Sequence, residues 1–467
     1  MPTGSAGSPA IPRGRVRAAL VAILAVSLLL NLWGNDWGAP AFWHGDEVVE
    51  RAMIMVNDRD PSPHFFAYGS LPYHVTAVGA HAAVKVYETL TDRAPPASDS
   101  LARGRWSIRH EVRIFQASRA IAALQSTALV AVTFLITSWL FGAGPGLLAA
   151  LMLAVSRTFV VVGHFATVDS AVNLWYWLAC LFGVLIWMRG DRKWYVLAAI
   201  AAGIAIGIKV DRLVVLLPLL IAHLLNKRRP SPLVTAAMLP LLAAGFVIAN
   251  LTLLFAPFEF LDGFTRELAF NMLRPLTLEN GFAQIPHYIV NGLGVPLAML
   301  IAVSLGYALI ALRTPETRLP VLWILSAIVP YYLLMSRSAA LWTYILLPLP
   351  GLMMLVGFTG ADVLRKVGGG GLARSGVTAA LAGVAAYSLM YTIAQLAQFG
   401  GGTRARAGEW LEQNAPPGAT IATSWRGPVL SREKGYDIVV YPPDRGRSSY
   451  MEGQGAEMLA RHPVYSR

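Results

Sequence analysis

Charge is what this sequence has least of. Of its 467 residues only 14% are Asp, Glu, Lys or Arg, 55% are hydrophobic, and the mean hydropathy is +0.53. Ordinary soluble domains carry about 25% charged and roughly 45–50% apolar residues. That leaves too little charge to cover the surfaces of two or three soluble domains, so the apolar excess has to face lipid. Cysteine is nearly absent: Cys180 stands alone inside an apolar run, which excludes a disulfide framework and any cysteine-based zinc or iron–sulfur site. There is no GxxxxGK[ST] phosphate loop, and Gly142-Ala143-Gly144-Pro145-Gly146 follows no strand and opens onto an apolar stretch, so it reads as a turn. No internal repeat of fixed period is visible, and the histidines lack the closed three- or four-ligand spacing of a zinc site.

What is present is a series of long apolar stretches. A membrane-crossing helix needs about 20 predominantly apolar residues. Eleven candidates lie near 17–34, 112–140, 144–162, 171–188, 193–208, 211–226, 232–255, 288–312, 319–335, 341–360 and 375–397. The first lacks a small-residue cleavage site and is followed by many more, so it reads as a retained signal-anchor. The stretches at 193–208 and 211–226 are short, and one of them reads as tilted or re-entrant. The formal net charge of +12 would suggest nucleic acid in a soluble chain, but it is distributed between apolar stretches. Fourteen Lys and Arg, from Arg13, Arg15 and Arg17 through Lys227 and Arg228 to Arg374, fall in short loops on one side. Six, namely Arg157, Lys209, Arg212, Arg266, Arg274 and Arg337, fall on the other. Positive charge is retained in the cytoplasm, so the first side is cytoplasmic with the N-terminus, and no nucleic-acid partner is needed to account for the charge.

The expected fold class is therefore an all-α polytopic membrane protein of about eleven spans with a small extracytoplasmic α/β tail. A cytoplasmic N-terminus covers 1–16, the membrane domain 17–399 with outer loops 35–111 and 256–287, and the tail 400–467. Within the first loop, 70–90 reads as an amphipathic helix on the outer membrane surface. The tail reads as a helix through Ala407, Trp410 and Leu411, a Pro-Pro-Gly turn, and strands at 419–424 and 437–441.

Ionisable residues gather at the outer helix ends rather than in mid-span, as in an enzyme working at a membrane face and unlike a pump with a mid-bilayer relay. Three groups stand out. Trp43-His44-Gly45-Asp46-Glu47 follows the first span. A carboxylate there could take a proton from an acceptor hydroxyl, or Asp46 could simply cap the helix VVERAMIMV. His164 and Asp169 bridge the third and fourth spans and could complete an acidic cleft or hold a divalent cation; Asp169 and Ser170 are equally ordinary helix-start residues. Lys209-Val210-Asp211-Arg212, with Arg266, Arg274, His287 and Arg337 on the same side, could grip a lipid-linked phosphate or could snorkel to headgroups.

The order of landmarks resembles a known family. A first span is followed by an Asp-Glu pair, by Gly-Ser-Leu-Pro-Tyr at 69–73, by His-x4-Asp between spans three and four, and by a Lys at a later helix end. Then come Tyr344, Pro348 and Pro350 in a Tyr-x3-Pro-x-Pro run, and Glu-Trp-Leu-Glu-Gln-Asn-Ala-Pro-Pro-Gly-Ala-Thr-Ile in the tail. This resembles the GT-C superfamily of membrane glycosyltransferases, in its protein O-mannosyltransferase and aminoarabinose transferase-like branch. The resemblance implies inverting transfer of a sugar from a polyprenyl-phosphate donor to an acceptor hydroxyl of a lipid, glycan or protein on the outer face of the cell's inner or plasma membrane, as part of cell-envelope chemistry. It places Asp46 as the base with Glu47 beside it, Asp169 as a second acid, and Lys209 on the donor phosphate with Arg266, Arg274 or Arg337. His44, His164, His287 and Tyr344 would line the cleft. Relatives often show an Arg-Tyr pair where this chain has Leu341-Trp342-Thr343-Tyr344. No cofactor is implied, while a divalent cation is compatible with the acidic cleft. Two rivals remain: a transporter or lipid flippase, which calls for broken helices and charges near the bilayer centre, and a non-catalytic membrane scaffold, in which Asp46 would be replaceable by asparagine.

Overall fold

The structure, a computed structural model, describes residues 12–39, 44–91, 108–228, 231–272, 278–337, 342–368, 371–399, 402–424, 427–428, 430 and 434–441. It is a helical assembly with one two-stranded parallel sheet near the C-terminal end. In chain order, α1 is Arg13–Leu32, α2 Val49–Asp58, α3 Leu71–Thr91 and α4 Ile108–Phe141. There follow α5 Ala143–Ala154, α6 Arg157–Gly163, α7 Val168–Arg189 and α8 Arg192–Ile208, then a 3-10 turn at 210–215 and α9 Leu216–Leu225. The second half comprises α10 Pro232–Ala236, α11 Met238–Ala249, α12 Thr252–Phe255, α13 Pro257–Met272, α14 Leu278–Leu293, α15 Val295–Ala311 and α16 Pro315–Met335. A 3-10 turn at 342–345, α17 Leu349–Lys366 and α18 Leu372–Leu396 lead to α19 Thr403–Asn414, β1 Thr420–Ser424 and β2 Asp437–Tyr441.

All eleven apolar stretches carry helix, but not as eleven uninterrupted spans. Among the described residues five helices, α1, α4, α7, α16 and α18, are long and apolar enough to cross a membrane alone, and six if α5 and α6 count as one span bent by 64°. The other stretches are shorter or interrupted. Gly294, at φ 82, parts α14 from α15. Asn250 parts α11 from α12, and the stretch at 211–226 is a 3-10 turn followed by ten helical residues. A window of mean hydropathy does not register these interruptions, because each costs only one or two backbone hydrogen bonds.

The core lies where α4, α5, α7 and α17 pack together, around Tyr176, Trp177 and Trp323, which are fully buried. Their polar atoms are answered by backbone carbonyls: Tyr176 by Ala327 O at 2.5 Å, Trp177 Nε1 by Leu347 O at 2.9 Å and Trp323 Nε1 by Pro218 O at 3.1 Å. Without water to serve as partner, each of these bonds is needed for the aromatic to be buried at all. Helices α8 and α11 approach so closely that a Cβ on Gly203 would lie 2.1 Å from Leu242 O. That contact fixes the end of α8. Its last carbonyls are taken by Asn250 Nδ2 on Gly207 O at 3.0 Å and by Gly69 N on Ile208 O at 2.9 Å, which sets the position of Lys209.

Candidate active site

A cavity of about 1030 Å³ opens where the residue 44–48 turn, the end of α6, the start of α7, the end of α8 and the end of α16 meet. Asp46, Asp169, Asp211 and Lys209 form its polar end, with His44 and Tyr68; Leu213, Val214, Phe264, Leu268, Leu333 and Leu334 form an apolar wall.

Asp46 is exposed to this cavity. Helix α2 begins at Val49 with Val48 as its N-cap and no side-chain cap, so the carboxylate of Asp46 is not used to start the helix. The backbone N–H of Asp46 donates to His44 Nδ1 at 3.4 Å, and the His44 ring stacks on Phe165 with centroids 4.2 Å apart. Asp169 is likewise not the cap of its helix. Thr167 takes that place and accepts from Asp169 N at 3.4 Å. The Asp169 carboxylate is free of backbone duty and accepts from Lys209 Nζ at 2.6 Å, with the two side chains 13% and 17% exposed. Lys209 Nζ also lies 4.8 Å from the centroid of the Tyr68 ring. An ammonium has three donors, and among the described residues Asp169 is its one hydrogen-bond partner. The polar end thus offers a carboxylate open to the cavity and, beside it, a cation held by one bond with capacity for an anionic ligand.

Glu47 is placed elsewhere, and this corrects the expectation that it joins the chemistry. Its carboxylate is fully buried and receives both prongs of Arg119, Nε at 2.8 Å and Nη2 at 3.0 Å. It also receives Ala166 N at 3.1 Å. Arg119 donates in addition to Asn35 O at 2.9 Å and Trp37 O at 2.7 Å, and stacks between Trp37 and Phe115. Together with Val48 N on Ala166 O at 2.8 Å, this clamp seats the Asp46 turn against the turn that leads to Asp169. A bidentate, fully satisfied pair is the form in which a buried charge is tolerated.

Three further expected site residues lie off the cavity wall. His164 is buried, with Nδ1 on Val160 O at 2.8 Å and Nε2 on Trp33 O at 2.9 Å, so it ties the end of α6 to the end of α1. His287 is exposed and bonded to Asn291 at 2.7 Å. Arg266 is 74% exposed and paired with Asp262 at 2.5 Å. Its neighbour Glu267 lines the cavity instead. Adjacent helical residues point about 100° apart, so a one-residue choice in an amphipathic helix exchanges a wall residue for a solvent residue. Arg274 falls outside the described residues. Arg337 and Tyr344 line the cavity. Asp211, named with Lys209 in the sequence, lines the wall too, and Tyr68, Glu267 and Phe165 are wall residues given no role there; Tyr68 stands one residue before the Gly-Ser-Leu-Pro-Tyr run and Phe165 lies inside the His-x4-Asp run. No group of three or more His, Cys, Asp or Glu among the described residues is arranged to hold a metal ion.

The fold is similar to that of two solved structures, ArnT and the archaeal oligosaccharyltransferase AglB. Residues 94–255 match the family model described as dolichyl-phosphate-mannose-protein mannosyltransferase. ArnT from Cupriavidus metallidurans bound to undecaprenyl phosphate superposes with a TM-score of 0.61 at 17% identity, over 97% of this chain and 90% of that one. Its apo form gives 0.58 at 17% identity, over 96% and 91%. The archaeal oligosaccharyltransferase AglB from Archaeoglobus fulgidus, in complex with an inhibitory peptide and a dolichol-phosphate, gives 0.52 at 13% identity, over 86% of this chain and 58% of that one. At these identities the likeness is one of fold. No curated protein sequence matches the chain.

Proposed function

We propose that this protein is a membrane glycosyltransferase that moves a sugar from a polyprenyl-phosphate donor to an acceptor hydroxyl on the outer membrane face. The observation that carries the reading is the cavity itself. It joins a carboxylate with no structural duty, Asp46, to a partly committed cation, Lys209, and to an apolar wall suited to an isoprenoid chain. ArnT, the similar structure, is bound to undecaprenyl phosphate.

In this reading Asp46 takes the proton from the acceptor hydroxyl as its oxygen attacks the anomeric carbon. The bond from that carbon to the phosphate oxygen breaks, the polyprenyl phosphate leaves with the electron pair, and the configuration inverts. Lys209 meets the charge that develops on the leaving phosphate, with Asp169 holding the ammonium in place. The 64° break between α5 and α6 would also suit a transporter. At that break Val155 O accepts from Thr392 Oγ1 at 2.8 Å, so this carbonyl is answered by protein.

The test is sugar transfer from a synthetic polyprenyl-phosphate donor by the purified protein and by Asp46→Asn. Asparagine keeps the shape and cannot accept the proton, so turnover should fall by roughly 10²–10⁴-fold with the melting temperature unchanged. Near-normal turnover in the folded mutant would remove Asp46 as the base. The outward orientation rests on the charge bias. Ala407→Cys should react with an impermeant thiol reagent in intact cells and Lys227→Cys only after permeabilisation; the reverse pattern would invert the topology.

A further inference from the structure

Two elements that form neighbouring walls of the cavity share an imidazole that bonds a carboxylate on each. The segment 59–70 supplies Phe66, Ala67 and Tyr68 to the wall, and α13 supplies Phe264, Glu267 and Leu268. His64 lies between them. Its Nε2 bonds Asp60 Oδ2 of its own segment at 2.7 Å, and its Nδ1 bonds Glu259 Oε1 of α13. Ser62 Oγ reaches the other Glu259 oxygen at 3.4 Å. The His64 backbone sits at φ 47, in the left-handed region that side chains rarely adopt, and this turns the ring toward α13. From the opposite side Arg51 of α2 holds the segment by donating to Pro63 O at 2.9 Å and His64 O at 3.3 Å. Below the imidazole the two walls fit closely: a Cβ on Gly263 would lie 2.1 Å from the Phe66 ring. On its other faces Phe258 and Leu261 of α13 are 86% and 50% exposed, while Phe260 is buried against Phe66 and Phe264 meets Phe246 edge-on.

We propose that His64 is a positioning residue for donor binding: as an imidazolium with one N–H on each carboxylate it latches α13 to segment 59–70, and loss of its proton loosens the cavity. The argument rests on donor count. An imidazolium has two N–H donors and a neutral imidazole one, so deprotonation leaves a lone pair facing one of two carboxylates that then oppose each other across an uncharged ring. Partial burial draws the His64 titration downward, but the hydrogen bonds and charges of Asp60 and Glu259 outweigh it and hold the ring above its usual value. Asp60 is held below its usual range by the Ser62 backbone N–H and by His64. The charged groups facing the ring are thus Asp60 and Glu259, with Arg51 on the adjacent carbonyls. For a histidine raised in the folded state, the stabilisation is complete below the ordinary value and is lost as pH rises through the raised one. The donor's phosphodiester does not titrate in this window, so a pH effect on donor binding there belongs to the protein.

This inference rests on the proposed function for its kinetic arm only. Hydrogen exchange of the whole protein in detergent, corrected for the intrinsic rate, is measured on 59–70 and α13 between about pH 6 and about pH 9. Both segments should open roughly three- to tenfold more readily at the upper end, because two half-exposed ion pairs contribute modestly. His64→Gln, which cannot take up a proton, should sit at the loosened level throughout, and Glu259→Gln should flatten the dependence too. A wild-type profile with no step, or a His64→Gln profile that matches wild type, overturns the latch. In transfer assays the donor KM should rise in step with opening while kcat holds; opening without a change in KM overturns the positioning role. A wild-type protein that transfers no sugar refutes the proposed function and leaves the exchange result to judge the latch.

Discussion

Two carboxylate–cation pairs flank the Asp46 turn, and they are built to opposite specifications. Glu47 and Arg119 are both wholly buried, joined by two bonds and surrounded by further backbone partners. Asp169 and Lys209 share one 2.6 Å bond, each keeps some exposure, and both line the cavity. A planar guanidinium can meet several fixed acceptors at once, and this suits a joint; a compact ammonium on a flexible stem keeps donors to spare, and this suits a ligand. The difference separates a pair that ties the Asp46 turn in place from a pair whose ammonium keeps donors toward the cavity.

The largest expected effect tests the first half of that contrast. Arg119→Ala leaves the Glu47 carboxylate buried without its partner and should cost about 3–5 kcal/mol of stability, read as a large drop in the melting temperature in detergent. A variant of wild-type stability that had lost donor binding would reverse the assignment of the two pairs. Lys209→Met comes next. Losing charge-assisted bonds to the phosphate should raise the donor KM roughly 10–100-fold, with little effect on acceptor KM. Adding Asp169→Asn should restore any lost stability, because the stranded carboxylate is neutralised, without restoring donor affinity; an unchanged donor KM in Lys209→Met would take the lysine out of the site. The smallest effect is expected at Arg266→Ala, where an exposed i,i+4 pair is removed from a helix face turned away from the cavity. Donor KM should change less than about twofold, and a larger rise would bring that face of α13 into the phosphate site.

Within the site, what was legible followed from residue type. An acid placed just after a span, an acid at the start of α7 and a lysine at the end of α8 could be picked out because charge at those places is costly unless used. The roles of neighbours were not legible in the same way. Asp46 and Glu47 are adjacent and chemically alike, yet one faces the cavity and the other faces Arg119, a residue 72 positions along the chain. Arg266 and Glu267 divide similarly between solvent and cavity. His164 carried the same signal as Asp169 and turned out to bond only carbonyls among the described residues.

The sequence by itself determined the class: a chain this apolar and this poor in charge has to lie in lipid as helices, because lipid offers backbone groups no other partner. It also carried the uneven distribution of Lys and Arg among the short loops and the order of the landmarks, since both are properties of composition along a line. Tertiary structure decided where the helices break and which of two neighbouring acids reaches the cavity. It also decided that Asp169 meets Lys209 and that His64 bridges two walls. The reason is geometric. A helix face is fixed to within about 100° per residue, and which face meets a cavity depends on how distant helices pack, information that no local window of sequence contains.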